Sequence, residues 1–295
     1  MGMDFIAWRK LFYAVSGALV FMSVAALIVW GLPLGIDFTG GSLMELEFGG
    51  SAVSSQAVQE RLAAFQLGDV QIQQTGSQGM LIRMRDIDEE THQQVLTALR
   101  SADAGLTEKR FVSIGPTIGG ELKQKAVWAL VLVLVMIIVY IAAAFRHVSY
   151  PISSWKYGIV AIVALIHDVM IPTGLFMYLG KFHGVEINAL FISALLTILG
   201  FSVHDTIVVF DRVRENLRKR VGANFEETVN ISIHETVTRS INTSLTLLFV
   251  LLTLFFLGGE STKYFSLALI VGTVVGVYSS IFIASPLLVT WQKWQ

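Results

Sequence analysis

The sequence predicts an α-helical integral membrane protein with six transmembrane helices and one α+β ferredoxin-like (βαββαβ) periplasmic domain inserted between helices 1 and 2. Three observations carry this. The 295 residues are 54% hydrophobic with a mean hydropathy of +0.66, too apolar for a water-soluble fold of this size. The apolar residues gather into six runs long enough to cross a bilayer. Between the first two runs lies a long polar interval whose apolar residues recur with strand and helix periods.

The six runs are Leu11 to Leu32, Ala126 to Phe145, Tyr157 to Leu179, Ile187 to Phe210, Ile241 to Leu257 and Phe265 to Trp291. Arg9 and Lys10 precede the first, which has no small-x-small cleavage site and reads as a retained anchor. Arg9, Lys10, Arg146, Lys156, Arg212, Arg214, Arg218, Lys219, Arg220 and Lys293 flank one side, which marks that side and both termini as cytoplasmic. The domains expected are 1–32 (N-terminus and first span), 33–125 (the outer domain) and 126–295 (spans two to six), with a cytoplasmic loop at 212–240.

In the outer domain Met44, Leu46 and Phe48 alternate with Glu45 and Glu47, a half-buried strand, and Val58, Leu62 and Phe65 follow at helical spacing. Val70 and Ile72, a turn at Gly76 and Gly79, then Ile82 and Met84 read as a hairpin. Asp88, Glu89 and Glu90 open a second helix through Val95, Leu96 and Leu99, and Lys109 to Ile114 forms a last strand. That order is the split βαββαβ layout.

In the loop at 212–240, Asn224 and Glu227 have capping-box spacing ahead of Phe225, Val229 and Ile233, so a surface helix is expected to feed the fifth span. In the last span Gly272, Gly276 and Ser280 make a small-residue face suited to close helix packing. The net charge of −1 offers no basic excess for nucleic acid, and the absence of cysteine removes disulfides and thiol chemistry. No metal motif is present: His234 and Glu235 are followed by Thr238 where a zinc-binding helix needs a second histidine.

Ionisable groups inside spans are the candidates for function, because a charge at the helix centre is disfavoured by about 2.5–3.5 kcal/mol. Asp168, 12 residues past Lys156 and thus about 18 Å along the helix, is near mid-membrane; Asp205, six residues before Asp211, is about 9 Å inside the boundary. His167 and His204 precede them and can exchange protons near neutral pH, although adjacent helical residues point about 100° apart. Arg239, at the start of the fifth span, is the expected partner of Asp205. Plainer roles exist for each: Asp168 as a helix-to-helix hydrogen bonder, Arg239 as an orientation signal, the histidines and Ser240, Asn242, Thr243, Ser244 and Thr246 as packing polar groups.

The run Gly200-Phe-Ser-Val-His-Asp-Thr-Ile-Val-Val-Phe-Asp-Arg-Val-Arg-Glu-Asn216 resembles the fourth-helix signature of the SecD/SecF family of protein-export membrane proteins. Gly35-Ile-Asp-Phe-Thr-Gly-Gly41, Ile114-Gly-Pro-Thr-Ile-Gly-Gly-Glu-Leu122, Leu165-Ile-His-Asp-Val169 and Arg239-Ser-Ile-Asn-Thr-Ser244 are similar to other segments of that family. His204 departs from it, standing where the family usually carries asparagine.

The resemblance implies a bacterial inner-membrane protein, not an enzyme, that pairs with SecD in a pseudo-symmetric twelve-helix body related to the resistance-nodulation-division exporters. It implies work beside the SecYEG channel, the SecA ATPase and YajC, drawing an unfolded preprotein outward with protons as the coupling ion and no cofactor. On that reading Asp205, Arg239, Asp168 and His204 belong to the proton pathway, and Asp37, Gly40, Gly41, Gly115 and Gly119, with Gly120, to a conformational motif at the entry and exit of the outer domain; for the glycines ordinary turn formation is the alternative, and for Asp37 a turn cap.

Three rivals are weighed against this. A half-unit of a small-molecule or lipid exporter would carry a larger outer portion. An intramembrane aspartyl protease using Asp168 and Asp205 would carry Gly-x-Gly-Asp, whereas this chain has Ile-His-Asp and Val-His-Asp. A passive scaffold predicts that Asp205→Asn leaves export intact.

Overall fold

The computed structural model describes residues 4–50, 54–76, 78–145 and 153–293; Arg146, one of the flanking cations named above, lies outside them. The chain divides into two compact units, Met1–Pro33 with Trp128–Gln295, and Leu34–Val127. Among the described residues six helices are long and apolar enough to cross a membrane.

The smaller unit opens with a helical turn, α2 (Ile36–Thr39), followed by β1 (Gly41–Glu47), α3 (Ser55–Leu62), β2 (Gln71–Thr75), β3 (Gly79–Met84), α4 (Glu89–Arg100) and β4 (Thr107–Ile114). The four strands form one antiparallel sheet in the order β2-β3-β1-β4, with Met44 opposite Ile82 and Leu46 opposite Met80. The element order is the one the alternation predicted. Because side chains alternate along a strand, Met44, Leu46, Met80, Ile82 and Met84 fall on one face, where Val58 and Leu62 of α3 and Val95, Leu96 and Leu99 of α4 close the core.

Local chemistry sets the limits of these helices. The Ser54 side chain accepts the N–H of Ala57, and Asp88 accepts that of Thr91. Asp88 is thus the cap itself, with Glu89 and Glu90 in the first turn. Phe65, expected on the first helix, lies beyond its end at Leu62.

The larger unit is the helical bundle: α1 (Arg9–Trp30), the part of α5 (Pro116–Ala144) from Trp128 onward, α6 (Ser154–His183), α7 (Ala189–Lys219), α8 (Phe225–Leu257), then α9 (Glu260–Ser279) running through a π-helical turn at Ser280–Ala284 into α10 (Ser285–Lys293). Several limits differ from expectation. The fifth helix, α5, begins at Pro116, ten residues before Ala126, because Pro is well suited to a first helical position. The stretch 212–240, expected as a loop with a surface helix, is the continuation of α7 to Lys219 and the first four turns of α8, joined by 220–224. Arg220 ends α7 in the left-handed conformation, and the Asn224 side chain accepts the N–H of Glu227 to start α8. Glu227 reaches back to the N–H of Ala223, one residue further than the capping box anticipated.

Ion pairs gather one end of the bundle. Arg9 at the start of α1 meets Glu226 at the start of α8 at 2.6 Å, and Lys293 at the end of α10 meets the same carboxylate. The N-terminal segment, the 220–226 turn and the C-terminal helix therefore share that end. At the other end the N–H of Ile187, between α6 and α7, donates to the carbonyl of Pro33 at 2.7 Å.

Candidate functional site

Helix α7 presents a buried stripe of Ile198, Leu199, Ser202, Asp205, Thr206, Val209 and Phe210 at helical spacing. Three of its members are polar. The small-residue face of the last span lies against this stripe: a Cβ on Gly272 would run into the side chain of Ile198, and one on Gly276 would come within 3.1 Å of Ser202 Cβ. Glycine at these two places is what lets α9 approach α7 closely enough for hydroxyls to reach carboxylates.

Asp205 is 5% exposed. Its Oδ1 accepts from Ser240 of α8 at 2.7 Å, and its Oδ2 from Ser280, the first residue of the π turn, at 3.2 Å. Asp168, on α6, is wholly buried. Its Oδ2 accepts from Ser202 of α7 and, at 2.7 Å, from Ser279 of α9; its Oδ1 lies 2.8 Å from Nδ1 of His167. Neither aspartate has a lysine or arginine partner among the described residues. Two carboxylates in the bundle interior are thus each wrapped in hydroxyls, and the two nests meet at the adjacent residues Ser279 and Ser280. A hydroxyl can donate to an ionised carboxylate or accept from a protonated one, so such a nest accommodates both states.

The expected Asp205–Arg239 ion pair is not formed in this structure. The buried face of α8 runs through Ser232, Thr236, Ser240 and Ser244, in steps of four. Arg239 is one position off that face, about 100° around the helix, and is exposed. The same geometry separates the histidines. His204 is exposed, one residue off the stripe that buries Asp205, and makes no hydrogen bond to it, whereas His167 is buried and bonded to its neighbour Asp168. His167 also stacks on Tyr278, with ring centroids 6.1 Å apart, and its Nε2 finds no hydrogen-bond partner.

Sequence reasoning missed Ser202, Ser279 and Ser280 as carboxylate partners and took Ser240 for a packing residue. Ser280 was read as part of a small-residue face, which it is; its place four residues past Gly276 was the available signal.

In the smaller unit, Gly40 and Gly41 have φ of +74° and +127°, where a side chain is strained. A Cβ on Gly40 would lie 2.7 Å from Cα of Pro116, and one on Gly119 2.7 Å from the nitrogen of Gly40. These glycines let the segment after α2 pack against the first turn of α5. Gly115 and Gly120 face open space, and Asp37 sits half-buried in the first turn of α2.

The chain matches the family model described as "Protein export membrane protein SecD/SecF, C-terminal" over residues 94–294, and that for the "SecD/SecF GG Motif" over 25–52. Among curated relatives, "Protein translocase subunit SecF" of Thermobaculum terrenum is 43% identical, covering 98% of this chain and 94% of that one. That of Anaerolinea thermophila is 39% identical over 99% and 94%. Among solved structures, SecDF of Thermus thermophilus, described as a translocon-associated membrane protein, superposes with a TM-score of 0.86 at 33% identity. This chain is covered to 99% but spans only 39% of that longer one. A SecDF structure in a "Super-membrane-facing form" gives 0.70 at 32% identity. With its multi-pass helices, its glycine motif and relatives matched end to end, the chain belongs to the SecD/SecF family of protein-export membrane proteins.

Proposed function

We propose that this chain is a subunit of the Sec translocase that pairs with SecD and uses the proton motive force to assist export of unfolded preproteins through SecYEG, with SecA and YajC as further partners. The inner membrane is its site, both termini are cytoplasmic, and the Leu34–Val127 unit is a periplasmic ferredoxin-like domain. The shared end formed by Arg9, Glu226 and Lys293 supports a cytoplasmic assignment, because cationic helix ends favour that side.

The observation that carries the reading is Asp205: a carboxylate buried within a spanning helix and held by two serine hydroxyls rather than by a cation. Burying a permanent charge there is disfavoured by about 2.5–3.5 kcal/mol, whereas a group that gains and loses a proton escapes that penalty for part of a cycle. A proton crossing about 100 mV supplies about 2.3 kcal/mol, enough to bias two arrangements of the helices. Protons are the coupling ion, no cofactor takes part and no catalytic step is involved.

Arg239 enters through motion of α8. Ser240 faces Asp205 and Arg239 lies about 100° away on the same helix, so rotation of α8 by one residue exchanges a hydroxyl for a guanidinium at the carboxylate. Asp168, with His167 bonded to it, is a second proton-accepting group on the facing helix. His204, exposed on α7 one position before Asp205, is a member of the proton pathway at the bundle surface. The motif glycines Gly40, Gly41, Gly115 and Gly119, with Asp37, form the conformational motif of the Leu34–Val127 unit, where Gly40 lies against Pro116 and Gly119.

The test is translocation into sealed inverted vesicles with and without a proton gradient. Asp205→Asn and Arg239→Met, assembled with SecD, are expected to lose the gradient-dependent part; gradient dependence surviving in both would overturn the reading.

A further inference from the structure

Ser279 and Ser280 serve two different carboxylates from adjacent positions, at the point where the last span turns from α- to π-helical. Successive helical residues diverge by about 100°, so Ser279 reaches Asp168 on α6 while Ser280 reaches Asp205 on α7. Resting on the proton-coupled reading, we propose that these two serines are positioning residues that link the aspartates, so that a proton on one favours the ionised form of the other.

Each serine hydroxyl has one hydrogen and a choice of acceptors. Ser279 Oγ lies 2.7 Å from Asp168 Oδ2 and 3.0 Å from the carbonyl of Gly276. Ser280 Oγ lies 3.2 Å from Asp205 Oδ2 and 2.9 Å from the carbonyl of Val277. When the carboxylate is ionised the serine donates to it. When it is protonated, the acid O–H donates to Oγ and the serine hydrogen turns back to its helix carbonyl.

The two carbonyls are not independent, because the backbone N–H of Ser280 is shared between Gly276 and Val277. The π turn begins at this same residue, Ser280, whose carbonyl accepts from Ser285 Oγ at 2.9 Å. Protonating Asp168 sends the Ser279 hydroxyl to Gly276, which pushes the shared N–H toward Val277. There it competes with the Ser280 hydroxyl, which turns to Asp205 and stabilises the ionised form. The same sequence runs in reverse from Asp205. No covalent bond is made or broken along this path, since the hydroxyl hydrogens reorient and the N–H shifts between two carbonyls.

The other titratable groups nearby are few. Asp168 has His167 on Oδ1, with Tyr278 stacked on that ring and accepting from Ser16 of α1. Asp205 has His204 beside it on α7. On α8, Arg239 is exposed, and Glu235 is held by Arg212 and Asn216. Tyr13 of α1 is bonded to Thr290. Repulsion between the two carboxylates acts with the same sign as the serine link, so the test must remove the hydroxyls alone.

The experiment is infrared difference spectroscopy of the complex with its partner subunit in lipid vesicles, titrated with pH. The two carboxylic bands are assigned with Asp168→Asn and Asp205→Asn. Asparagine at 205 mimics the protonated acid, so Asp205→Asn is expected to lower the proton affinity of Asp168. In a Ser279→Ala, Ser280→Ala background that change is expected to shrink by about fivefold, the weight of one hydrogen bond. Ser280→Thr, which keeps the hydroxyl, is expected to retain the full change, and Ser280→Ala alone to shrink it as far as the double alanine does, because the link passes through both hydroxyls in series. An undiminished change in both alanine backgrounds would overturn the serine link and leave repulsion through space as the only coupling. An Asp205 band that never titrates between about pH 5 and 9 would overturn the proton-carrying reading itself, and the link with it.

Discussion

Gly272 gives the sharpest test of how the site is built. A Cβ added there would meet Cγ1, Cδ1 and Cγ2 of Ile198, the last at 2.9 Å, and Cγ2 is fixed to the Ile198 backbone through Cβ, so rotation about χ2 cannot clear it. Gly200, on the exposed face of α7, has nothing within 4 Å of the same added atom. Both are helical glycines, so the gain in helix preference on going to alanine is common to the two and cancels in the comparison. What remains is overpacking, about 1–3 kcal/mol for an inserted methyl in a close-packed core. We expect Gly272→Ala to be less stable than Gly200→Ala by that amount in equilibrium unfolding in mixed micelles. Combining Gly272→Ala with Ile198→Ala is expected to destabilise by at least about 1 kcal/mol less than the sum of the single effects, because the two changes share one space. Gradient-driven export should fall with Gly272→Ala and not with Gly200→Ala, since spreading α9 from α7 lengthens the Ser280–Asp205 bond. Equal stabilities for the two alanine variants would refute the close approach on which the hydroxyl nests depend.

Gly40→Ala is expected to lower the unfolding temperature of the Leu34–Val127 unit, through a strained φ of +74° and a clash with Pro116, while Gly115→Ala, facing open space, leaves it unchanged. Asp103 accepts the N–H groups of Gly105 and Gly50, which hold its carboxyl below the ordinary range. A folded pKa below the unfolded one adds stability above the unfolded value, near 3.9, and loses it as pH falls through the folded value. The difference in melting temperature between wild type and Asp103→Ala should therefore be largest near neutral pH and shrink below about pH 4. Asn224→Ala removes the cap of α8 and should weaken its first turn by about 1 kcal/mol, seen as faster amide exchange at residues 225–228 with residues 240–244 unaffected.

The sequence by itself determined the six long apolar helices, the order of strands and helices in the Leu34–Val127 unit, and the two aspartates set among apolar residues. Each was written in a local period, a run length or the rarity of a charge among apolar residues. Helix limits were less legible: α7 and α8 continue well past their apolar runs because Arg212, Glu215, Lys219, Glu227 and Glu235 pair with one another and with helix ends, so polarity there marked the end of the apolar run and not the end of the helix. Which groups surround each aspartate was decided only by tertiary structure. A shift of one residue turns a side chain by about 100°, which separates Ser240 from Arg239 and leaves His204 outside while Asp205 is inside. A partner on another helix is set by crossing geometry and by the π turn, neither of which leaves a period in the chain, and so the serines that join Asp168 to Asp205 came into view only when α6, α7 and α9 were packed together.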